Sequence, residues 1–270
     1  MRLLVLGRGK TGALVAEMAR DRGHEVRSLA SQENQDGRAL TPATLKDIDA
    51  AIDFTTPHAV IPNVIRCVEA GTPLVIGTTG WYQHLEKVRE LVGERKGALL
   101  YGSNFSIGMN FFFKAVQAVA PILKHNYRGS IVERHHVHKK DKPSGTAVTL
   151  QKILESASGE KVEVASVREG DTVGMHLLML DSANDTILFT HDAKSRLGFA
   201  EGAVRAAEWL PGKTGVFAVN GCGLSITKLL NCPITKLLNY QILRELLFLS
   251  YEPTGLRHSA HHTFQAGPEH

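Results

Sequence analysis

Cysteine is scarce in this chain of 270 residues. Its three cysteines, Cys67, Cys222 and Cys232, are widely spaced and form no Cys-x-x-Cys pair. An odd and scattered set argues against a disulfide framework and against a structural zinc site. We therefore expect a protein of the reducing cytoplasm whose fold is stabilised by its hydrophobic core.

Long apolar runs are also absent. The run at residues 2–7 contains one basic residue and is too short for the apolar region of a signal peptide. No other stretch approaches the length that a membrane-spanning helix needs. These absences predict a soluble protein that is not exported and does not bind membranes.

An excess of charge of one sign is missing as well. The chain has 31 Lys and Arg against 27 Asp and Glu, for a net charge of +4. The basic residues do not cluster as they do on a nucleic-acid surface, so we expect no nucleic-acid partner and only a mild preference for small anions. With 43% hydrophobic residues the chain can bury the core of one large domain or two modest ones.

Strand and helix patterns alternate in the first third of the chain. Short apolar runs predict strands at Arg2–Leu6, Glu25–Leu29, Ala50–Phe54, Pro73–Ile76 and Ala98–Tyr101. Helical spacing of apolar residues predicts helices at Lys10–Arg22, His58–Ala70 and Trp81–Arg95. This alternation predicts an α/β fold whose N-terminal part is a Rossmann-type, doubly wound parallel sheet.

A glycine motif, Gly7-x-Gly9-x-x-Gly12, lies at the first turn between strand and helix. In a dinucleotide fold the first glycine permits the tight turn, the second admits the pyrophosphate, and the third lets helix and strand pack closely. A triphosphate-binding loop is rejected because Leu4 stands where that motif needs glycine. An ordinary tight turn is the remaining alternative. The predicted cofactor-binding residues of this motif are Gly7, Arg8, Gly9, Lys10, Thr11 and Gly12.

The end of the second predicted strand bears on the choice of cofactor. An acid about twenty residues past the glycine motif would bind the adenosine ribose and favour NADH. The sequence after Arg27 begins with Ser28 and reaches its first acid at Glu33. Arg27 and the serines Ser28 and Ser31 could instead accept the phosphate of NADPH. We expect both NADH and NADPH to be usable.

Two further loops follow predicted strands at the sheet edge where α/β folds bind ligands. Gly77, Thr78 and Thr79 follow the fourth strand, and Ser103, Asn104 and Phe105 follow the fifth. Small and hydroxyl residues let the backbone approach a nicotinamide and its ribose, and the Asn104 side chain could hold the carboxamide. Plain turn chemistry explains either loop equally well when it is taken alone.

The second region of the chain begins near residue 106. A helix is predicted at Gly108–Lys124, a strand at Ser130–Val137 and a further helix at Thr146–Ser156, capped by Ser144 or Thr146. These elements predict a second, α+β domain for substrate binding and oligomerisation. The strand carries a histidine-rich segment toward the last of these helices.

That segment, residues 133–147, combines three histidines and several lysines with a Pro-Ser-Gly-Thr turn. Histidine titrates near neutrality, and a lysine among other cations can be brought toward it, so the segment offers proton donors. The turn presents backbone N–H groups at the start of a helix, which suits a carboxylate. We expect His136, Lys139 and the backbone of residues 144–146 to surround a dianionic substrate.

At these residues the chain resembles the family of 4-hydroxy-tetrahydrodipicolinate reductase, also called dihydrodipicolinate reductase. The motif Glu-x-His-His-x-x-Lys-x-Asp-x-Pro-Ser-Gly-Thr-Ala matches nearly completely. Supporting matches lie in the glycine motif, at residues 77–79, 103–106, 167–176 and 199–207, and the resemblance runs from residue 1 to about residue 219.

The resemblance implies a function. Hydride from NADH or NADPH would reduce a cyclic dicarboxylate, with loss of water, in the diaminopimelate route to lysine. It implies that His135 and Lys139 donate protons, and that His136, Ser144, Gly145 and Thr146 bind the substrate carboxylates. It also implies a homotetramer formed through the sheet of the second domain.

Other interpretations of the histidine segment compete with this one. A zinc site is disfavoured because alternate strand residues point to opposite faces and no carboxylate or cysteine ligand pairs with the histidines, so we expect no metal. Lys140 and Lys142 are interpreted as a solvated rim, with Asp141 pairing with one of them. His176, Trp209 and Phe217 are interpreted as structural. A redox-sensing regulator that binds NAD(P), or an amino-acid dehydrogenase of similar architecture, remain alternative functions.

We predict three parts in the chain. A dinucleotide-binding domain spans residues 1–105 and is rejoined by residues 196–220, and the substrate domain spans residues 106–195. A tail at residues 221–270 departs from the family pattern. The sequence of residues 226–231 recurs in this tail at residues 234–239. An apolar stretch at Tyr240–Leu249 predicts a helix, and the His-rich end predicts disorder.

Overall fold

The computed structural model describes residues 1–219, and the predictions for the tail at residues 221–270 lie outside them. The strands are β1 (Arg2–Leu6), β2 (Glu25–Leu29), β3 (Ala50–Asp53), β4 (Leu74–Ile76), β5 (Ala98–Gly102), β6 (Arg128–His135), β7 (Glu163–Arg168), β8 (Gly174–Asp181), β9 (Thr186–Ala193) and β10 (Gly215–Val219). The helices are α1 (Lys10–Asp21), α2 (Pro42–Leu45), α3 (Pro57–Glu69), α4 (Leu85–Glu94), α5 (Ile107–Val119), α6 (Gly145–Ser158) and α7 (Leu197–Trp209).

The first sheet has six parallel strands in the order β10-β5-β4-β3-β1-β2. Its central strands β1, β3 and β4 are buried apart from Arg2, and they are largely apolar because helices cover both faces; Asp53 at the end of β3 is the buried exception. Helices α1 and α7 pack on one face and α3 and α4 on the other. The predicted doubly wound parallel sheet is thereby confirmed.

The second sheet has four strands in the order β7-β6-β8-β9. Strands β6 and β7 are parallel, whereas β8 pairs antiparallel with both β6 and β9. One face carries Ile131, Leu178 and Leu180, which pack with Phe113 of α5 and Leu150 of α6. This confirms the α+β character of the second region.

Two predicted helices are shorter than their sequence patterns suggested. The pattern at Trp81–Arg95 begins with a 3-10 turn at Tyr82–His84 before α4, and the buried Trp81 precedes that turn. The pattern at Gly108–Lys124 is α5 followed by a 3-10 segment at Ala120–Lys124, whose start contains a proline that cannot extend the α-helical hydrogen bonds. Strand β6 ends at His135, so His136 and His138 lie beyond it.

Within the described residues, no helix combines the length and apolar character that crossing a membrane would require.

Candidate active site

The glycine motif forms the turn between β1 and α1, and each glycine has a distinct environment. Gly7 has a φ of +96°, and a Cβ there would lie 2.2 Å from the carbonyl oxygen of Phe54. A Cβ on Gly12 would lie 2.1 Å from the carbonyl oxygen of Gly7. At Gly9 a Cβ would meet no atom within 4 Å. The first and third glycines are therefore required by packing, whereas the second keeps open space beside the helix.

That open space adjoins the N-terminus of α1. Gly9 is the N-cap residue and no side chain accepts a hydrogen bond from the first backbone N–H groups. A groove of about 360 Å³ extends from there and is lined by residues 9–11 and 77–79. Uncapped N–H groups at a helix start suit a phosphate, so the residues present fit the pyrophosphate of a dinucleotide.

Arg8 does not line this groove but reaches the end of β2. Its guanidinium donates to the carbonyl oxygen of Ser28 at 2.7 Å and pairs with the Glu33 carboxylate at 3.3 Å. The second oxygen of Glu33 accepts the backbone N–H of Ala30 at 2.6 Å. The Glu33 carboxylate therefore reaches back to the end of β2, although the sequence has no acid at the strand end itself.

A buried polar network joins the loops of the groove, and sequence reasoning missed it. The fully buried carboxylate of Asp53 accepts hydrogen bonds from Thr55, Thr78 and Asn63 at 2.7–2.9 Å. Asn63 in turn accepts from Asn34 at 2.8 Å. Burial raises the pKa of Asp53, and the hydrogen bonds oppose that shift. An aspartate within an apolar strand run was the available signal, because a buried acid needs such partners.

The loop after β5 contains Ser103, Asn104 and Phe105, whose side chains have different environments. Ser103 lines the large cavity described below. The Asn104 side chain donates to Thr146 at 3.2 Å and accepts from the N–H of Ser106 at 2.9 Å, so it ties this loop to α6, and its predicted contact with a carboxamide stays a prediction. Phe105 is buried in the core against Phe54, with ring centroids 6.3 Å apart, because the neighbouring helix packs on its backbone.

His135, the last residue of β6, lies in a buried charged group. Its Nδ1 contacts the carboxylate of Glu133, whose other oxygen forms an ion pair with Arg168 at 2.9 Å. Burial lowers the pKa of His135, helped by the charges of Lys139 and Arg168, while Glu133 opposes the shift. Burial alone would raise the pKa of Glu133, but the Arg168 and Ser166 hydrogen bonds and the charge of His135 lower it below its usual value. His135 is therefore held with Nδ1 toward a carboxylate and with its charged form disfavoured.

Lys139 lies in the loop after β6 and is three-quarters buried. Its Nζ pairs with Asp141 at 2.7 Å. The prediction that Asp141 pairs with Lys140 or Lys142 is therefore wrong in this structure. Lys139 is the least exposed of the three lysines of the segment. An ion pair with it is therefore less weakened by solvent screening than one with Lys140 or Lys142.

The predicted anion-binding turn is formed at the start of α6. The N-cap residue is Ser144, whose Oγ accepts the N–H of Ala147 at 3.2 Å. The same hydroxyl forms a hydrogen bond with Nε2 of the buried His176 at 3.1 Å. Burial lowers the pKa of His176 to about 3, so its ring is neutral. His176, taken as purely structural from the sequence, thus fixes the cap of this helix.

One cavity of about 770 Å³ brings most of these groups together. From the second region it is lined by His135, Lys139 and residues 143–146, and from the first by Thr79 and Ser103. It therefore joins the candidate proton donors to two loops that follow strands of the first sheet.

His136 is not among the residues that line the cavity. It lies beyond the end of β6 and is half-buried. Partial burial, together with the charges of Arg196 and Lys139, lowers its pKa. Its predicted contact with a substrate carboxylate stays a prediction.

A carboxylate and two histidines come close enough together to be considered as metal ligands, which the sequence did not predict. Potential ligand atoms of Glu133, His135 and His176 lie within 4.8 Å of one another, so a carboxylate does accompany the histidines. The guanidinium of Arg168 is already paired with that carboxylate, and a cation there would have to displace it. The charge arrangement disfavours a metal at this position.

Two family models match the chain. The one described as dihydrodipicolinate reductase, N-terminus, matches residues 1–105, and the one described as dihydrodipicolinate reductase, C-terminus, matches residues 108–222. The chain belongs to this family. The resemblance inferred from its motifs is thereby confirmed, and the dihydrodipicolinate reductase family is one of pyridine-nucleotide-dependent oxidoreductases.

Individual relatives carry the same description. The chain is 38% identical over 235 residues to 4-hydroxy-tetrahydrodipicolinate reductase of Christiangramia forsetii, covering 81% of this chain and 96% of the relative. It is 35% identical over 195 residues to that of Neisseria meningitidis serogroup B, covering 65% of this chain and 72% of the relative.

A solved structure shares the fold. The dipicolinate-bound dihydrodipicolinate reductase from Paenisporosarcina sp. TG-14 superimposes with a TM-score of 0.65 at 20% identity, covering 81% of this chain and 97% of that one.

Proposed function

We propose that this chain reduces 4-hydroxy-tetrahydrodipicolinate to tetrahydrodipicolinate with NADH or NADPH, in the diaminopimelate route to lysine. The observation that carries the proposal is the single cavity in which His135, Lys139 and the turn at residues 144–146 face loops of the dinucleotide domain. A member of the dihydrodipicolinate reductase family with that arrangement has the proton donors and the anion site that this chemistry requires.

The substrate is a dicarboxylate, and the start of α6 is suited to one of its carboxylates. The N–H of Ala147 donates to Ser144 Oγ, and the N–H of Gly145 donates to the carboxylate of Asp141, which a substrate carboxylate would have to displace there. Lys139 lies in the same cavity and provides a full positive charge. Together they would hold an anion at the positive end of a helix dipole.

The reaction consumes one proton, and His135 is the group best placed to supply it. A bound reduced nicotinamide would supply a hydride, which forms a new C–H bond and leaves two electrons on the neighbouring conjugated system. The hydroxyl group would depart as water together with a hydrogen of the neighbouring carbon, which consumes no net proton, and the one proton consumed would quench the charge that the hydride leaves. Burial lowers the pKa of His135 in the free protein, so its charged form is disfavoured. A dianion bound beside it would raise that pKa, and His135 would then be protonated when the substrate is bound.

We further propose that both cofactors are accepted, with the pair Arg8 and Glu33 making the distinction. The Glu33 carboxylate is hydrogen-bonded at the end of β2, which supports a role in accepting the ribose hydroxyls of NADH. Arg8, paired with it at 3.3 Å, would turn to the added phosphate of NADPH. The two half-exposed side chains can exchange partners at little cost.

The test follows absorbance of the reduced nicotinamide after the full-length protein is mixed with freshly generated 4-hydroxy-tetrahydrodipicolinate. We expect substrate-dependent oxidation of both cofactors. Cofactor binding without oxidation would favour a redox-sensing regulator, and activity with a simple oxo acid and ammonia would favour an amino-acid dehydrogenase. Either result would overturn the proposal.

We also propose that the protein forms a homotetramer in the cytoplasm, through the outer face of the second sheet. This face carries apolar side chains that belong to none of the core clusters of the described residues, among them Val167, Met179 and Leu188, which are 41%, 37% and 59% exposed. Several exposed apolar side chains on one flat sheet support burial against another copy.

A further inference from the structure

We propose that Arg168 is a positioning residue that holds both candidate proton donors, His135 and Lys139, in one arrangement. The inference rests on the proposed function, since it concerns the same cavity. It differs in that Arg168 itself is not a lining residue of that cavity.

Arg168 supports His135 through Glu133. Strands β6 and β7 are parallel, and Arg168 lies in register opposite His135. Its guanidinium forms the ion pair with Glu133 at 2.9 Å, and the other carboxylate oxygen contacts Nδ1 of His135. Glu133 has no exposed surface, so this pairing offsets a charge that would otherwise be costly to bury. The ring of His135 is thereby fixed through Glu133 with its Nε2 directed away from the carboxylate.

Arg168 also contacts the backbone of the loop that carries Lys139. The same guanidinium donates to the carbonyl oxygen of Asp141 at 2.6 Å and contacts that of Lys139 at 3.4 Å. A planar guanidinium with several donors can make these bonds together, whereas a lysine ammonium in its place could not match the fork. Arg168 therefore joins the support of His135 to the backbone of the Lys139 loop.

Two backbone hydrogen bonds reinforce the arrangement. The N–H of Glu169 donates to the carbonyl oxygen of His135 at 2.9 Å, and the N–H of Val137 donates to that of Gly170 at 3.2 Å. The end of β7 thus follows the chain past the end of β6. This places Arg168 at the point where the strand gives way to the loop, which is where a small change of position would separate the two donors.

The variant Arg168→Gln tests the proposal. We expect kcat to fall by roughly 10- to 100-fold, because displacement of donors by about 1 Å costs on the order of that factor. The KM for NADH should change by less than about twofold, since the groove at residues 9–11 lies elsewhere. Arg205→Gln is the matched control, because Arg205 also forms an ion pair, with Glu201 at 2.9 Å, but in α7.

A second measurement does not depend on turnover. The charged and titratable groups around His135 are Glu133 on its own strand, Arg168 on β7, His176 on β8 and Lys139 on the following loop. Removing the cation Arg168 should make the Glu133 and His135 pair take up its proton at higher pH. NMR titration of the His135 ring should show that shift in Arg168→Gln, and Arg168→Lys, which keeps the charge but lacks the fork, should largely reverse it while restoring kcat only in part.

The outcomes separate the two claims. A wild-type protein without reductase activity would defeat the proposed function, and the His135 titration would still test the role of Arg168. The positioning role is overturned if Arg168→Gln leaves both kcat and the His135 titration unchanged, or if cofactor affinity falls as much as kcat. Should Arg168→Gln fail to fold, the same two measurements on Arg168→Lys decide, and wild-type values in both would overturn it.

Discussion

The histidines beside the cavity have different roles because their buried neighbours differ. His135 has the carboxylate of Glu133 at Nδ1, whereas His176 has the hydroxyl of Ser144 at Nε2. The first can be charged when an anion binds, and the second stays neutral at any pH near 7. One is suited to move a proton and the other to hold a helix cap.

Replacing His135 or Lys139 by Ala should lower kcat by about 10²- to 10⁴-fold, the usual contribution of a general acid. The dissociation constant for NADH, measured by calorimetry, should stay nearly unchanged, because neither residue lines the dinucleotide groove. His138→Ala and Lys140→Ala are controls, since both residues are exposed in the same segment. Equal losses of kcat and cofactor affinity would contradict the assignment.

The buried His176 should make stability depend on pH. In the unfolded chain its pKa is about 6.5, and in the folded protein it is about 3. Between these values the unfolded state binds one more proton, so the free energy of unfolding decreases as pH falls below about 6.5, by up to about 1.4 kcal/mol per pH unit. The stabilising contribution is fully present above that pH.

Urea unfolding of His176→Gln at a series of pH values measures this contribution. Between pH 6.5 and pH 4 the free energy of unfolding of the variant should decrease less steeply with falling pH than that of the wild type. The difference in slope should correspond to at most one bound proton. His125→Gln, at an exposed position, should keep the wild-type slope. A wild-type slope in His176→Gln would show that His176 is not the group that titrates.

At the scale of secondary structure, the loop between β1 and α1 gives the sharpest test of cofactor binding. Gly9→Ala adds a Cβ in open space at an extended backbone conformation, with φ −70° and ψ −178°. We expect wild-type thermal stability but cofactor binding weaker by roughly tenfold or more, equivalent to about 1.4 kcal/mol. Calorimetry with NADH, beside a melting curve, separates the two effects.

Gly93→Ala is the matched control, because Gly93 lies within α4 and a Cβ there also meets no atom within 4 Å. It should raise stability by about 0.5–1 kcal/mol without changing cofactor binding. Unchanged NADH affinity in Gly9→Ala would show that the pyrophosphate does not approach Gly9.

The first sheet was predictable from the sequence because strands β1, β3, β4 and β5 are mostly buried and read as short, largely apolar runs, whereas the edge strand β2 is mostly exposed or half-buried. Strands β1 and β2 match their predicted bounds, and β3, β4 and β5 differ by one residue. Strands β7 and β9 alternate between exposed and half-buried residues, so hydrophobicity alone did not place them. Helix bounds failed where a 3-10 segment intervenes, at Tyr82–His84 and Ala120–Lys124.

The candidate site was predictable only where residues adjacent in the chain act together. The glycine motif and the turn at residues 144–146 are local, and the structure forms both. Arg168, which pairs with Glu133, and His176, which contacts Ser144, come from other strands, and no local spacing reveals them. The hydrogen bond of Asn104 to Thr146 was missed for the same reason, because Thr146 lies on a helix distant in sequence.

For the whole molecule, the second sheet has two different roles on its two faces. The inner face carries Glu133, His176 and His191 in one cross-strand row, together with the core that packs on α5 and α6. On the outer face Met179 and Leu188 are directly opposite each other on β8 and β9. A face that supports the active site from behind is well placed to be stabilised by contact with another copy.

Leu188→Glu should break the proposed tetramer. Leu188 is 59% exposed in the single chain, and a carboxylate there would have to be buried without a partner if copies pack on this face. Sedimentation should give four chains of 29.5 kDa each for the wild-type protein and a smaller species for the variant. Ile65→Glu, at a residue 37% exposed on α3, is the control and should sediment like wild type. A wild-type protein that sediments as a single chain, or a Leu188→Glu variant that stays tetrameric, would exclude this face as the interface.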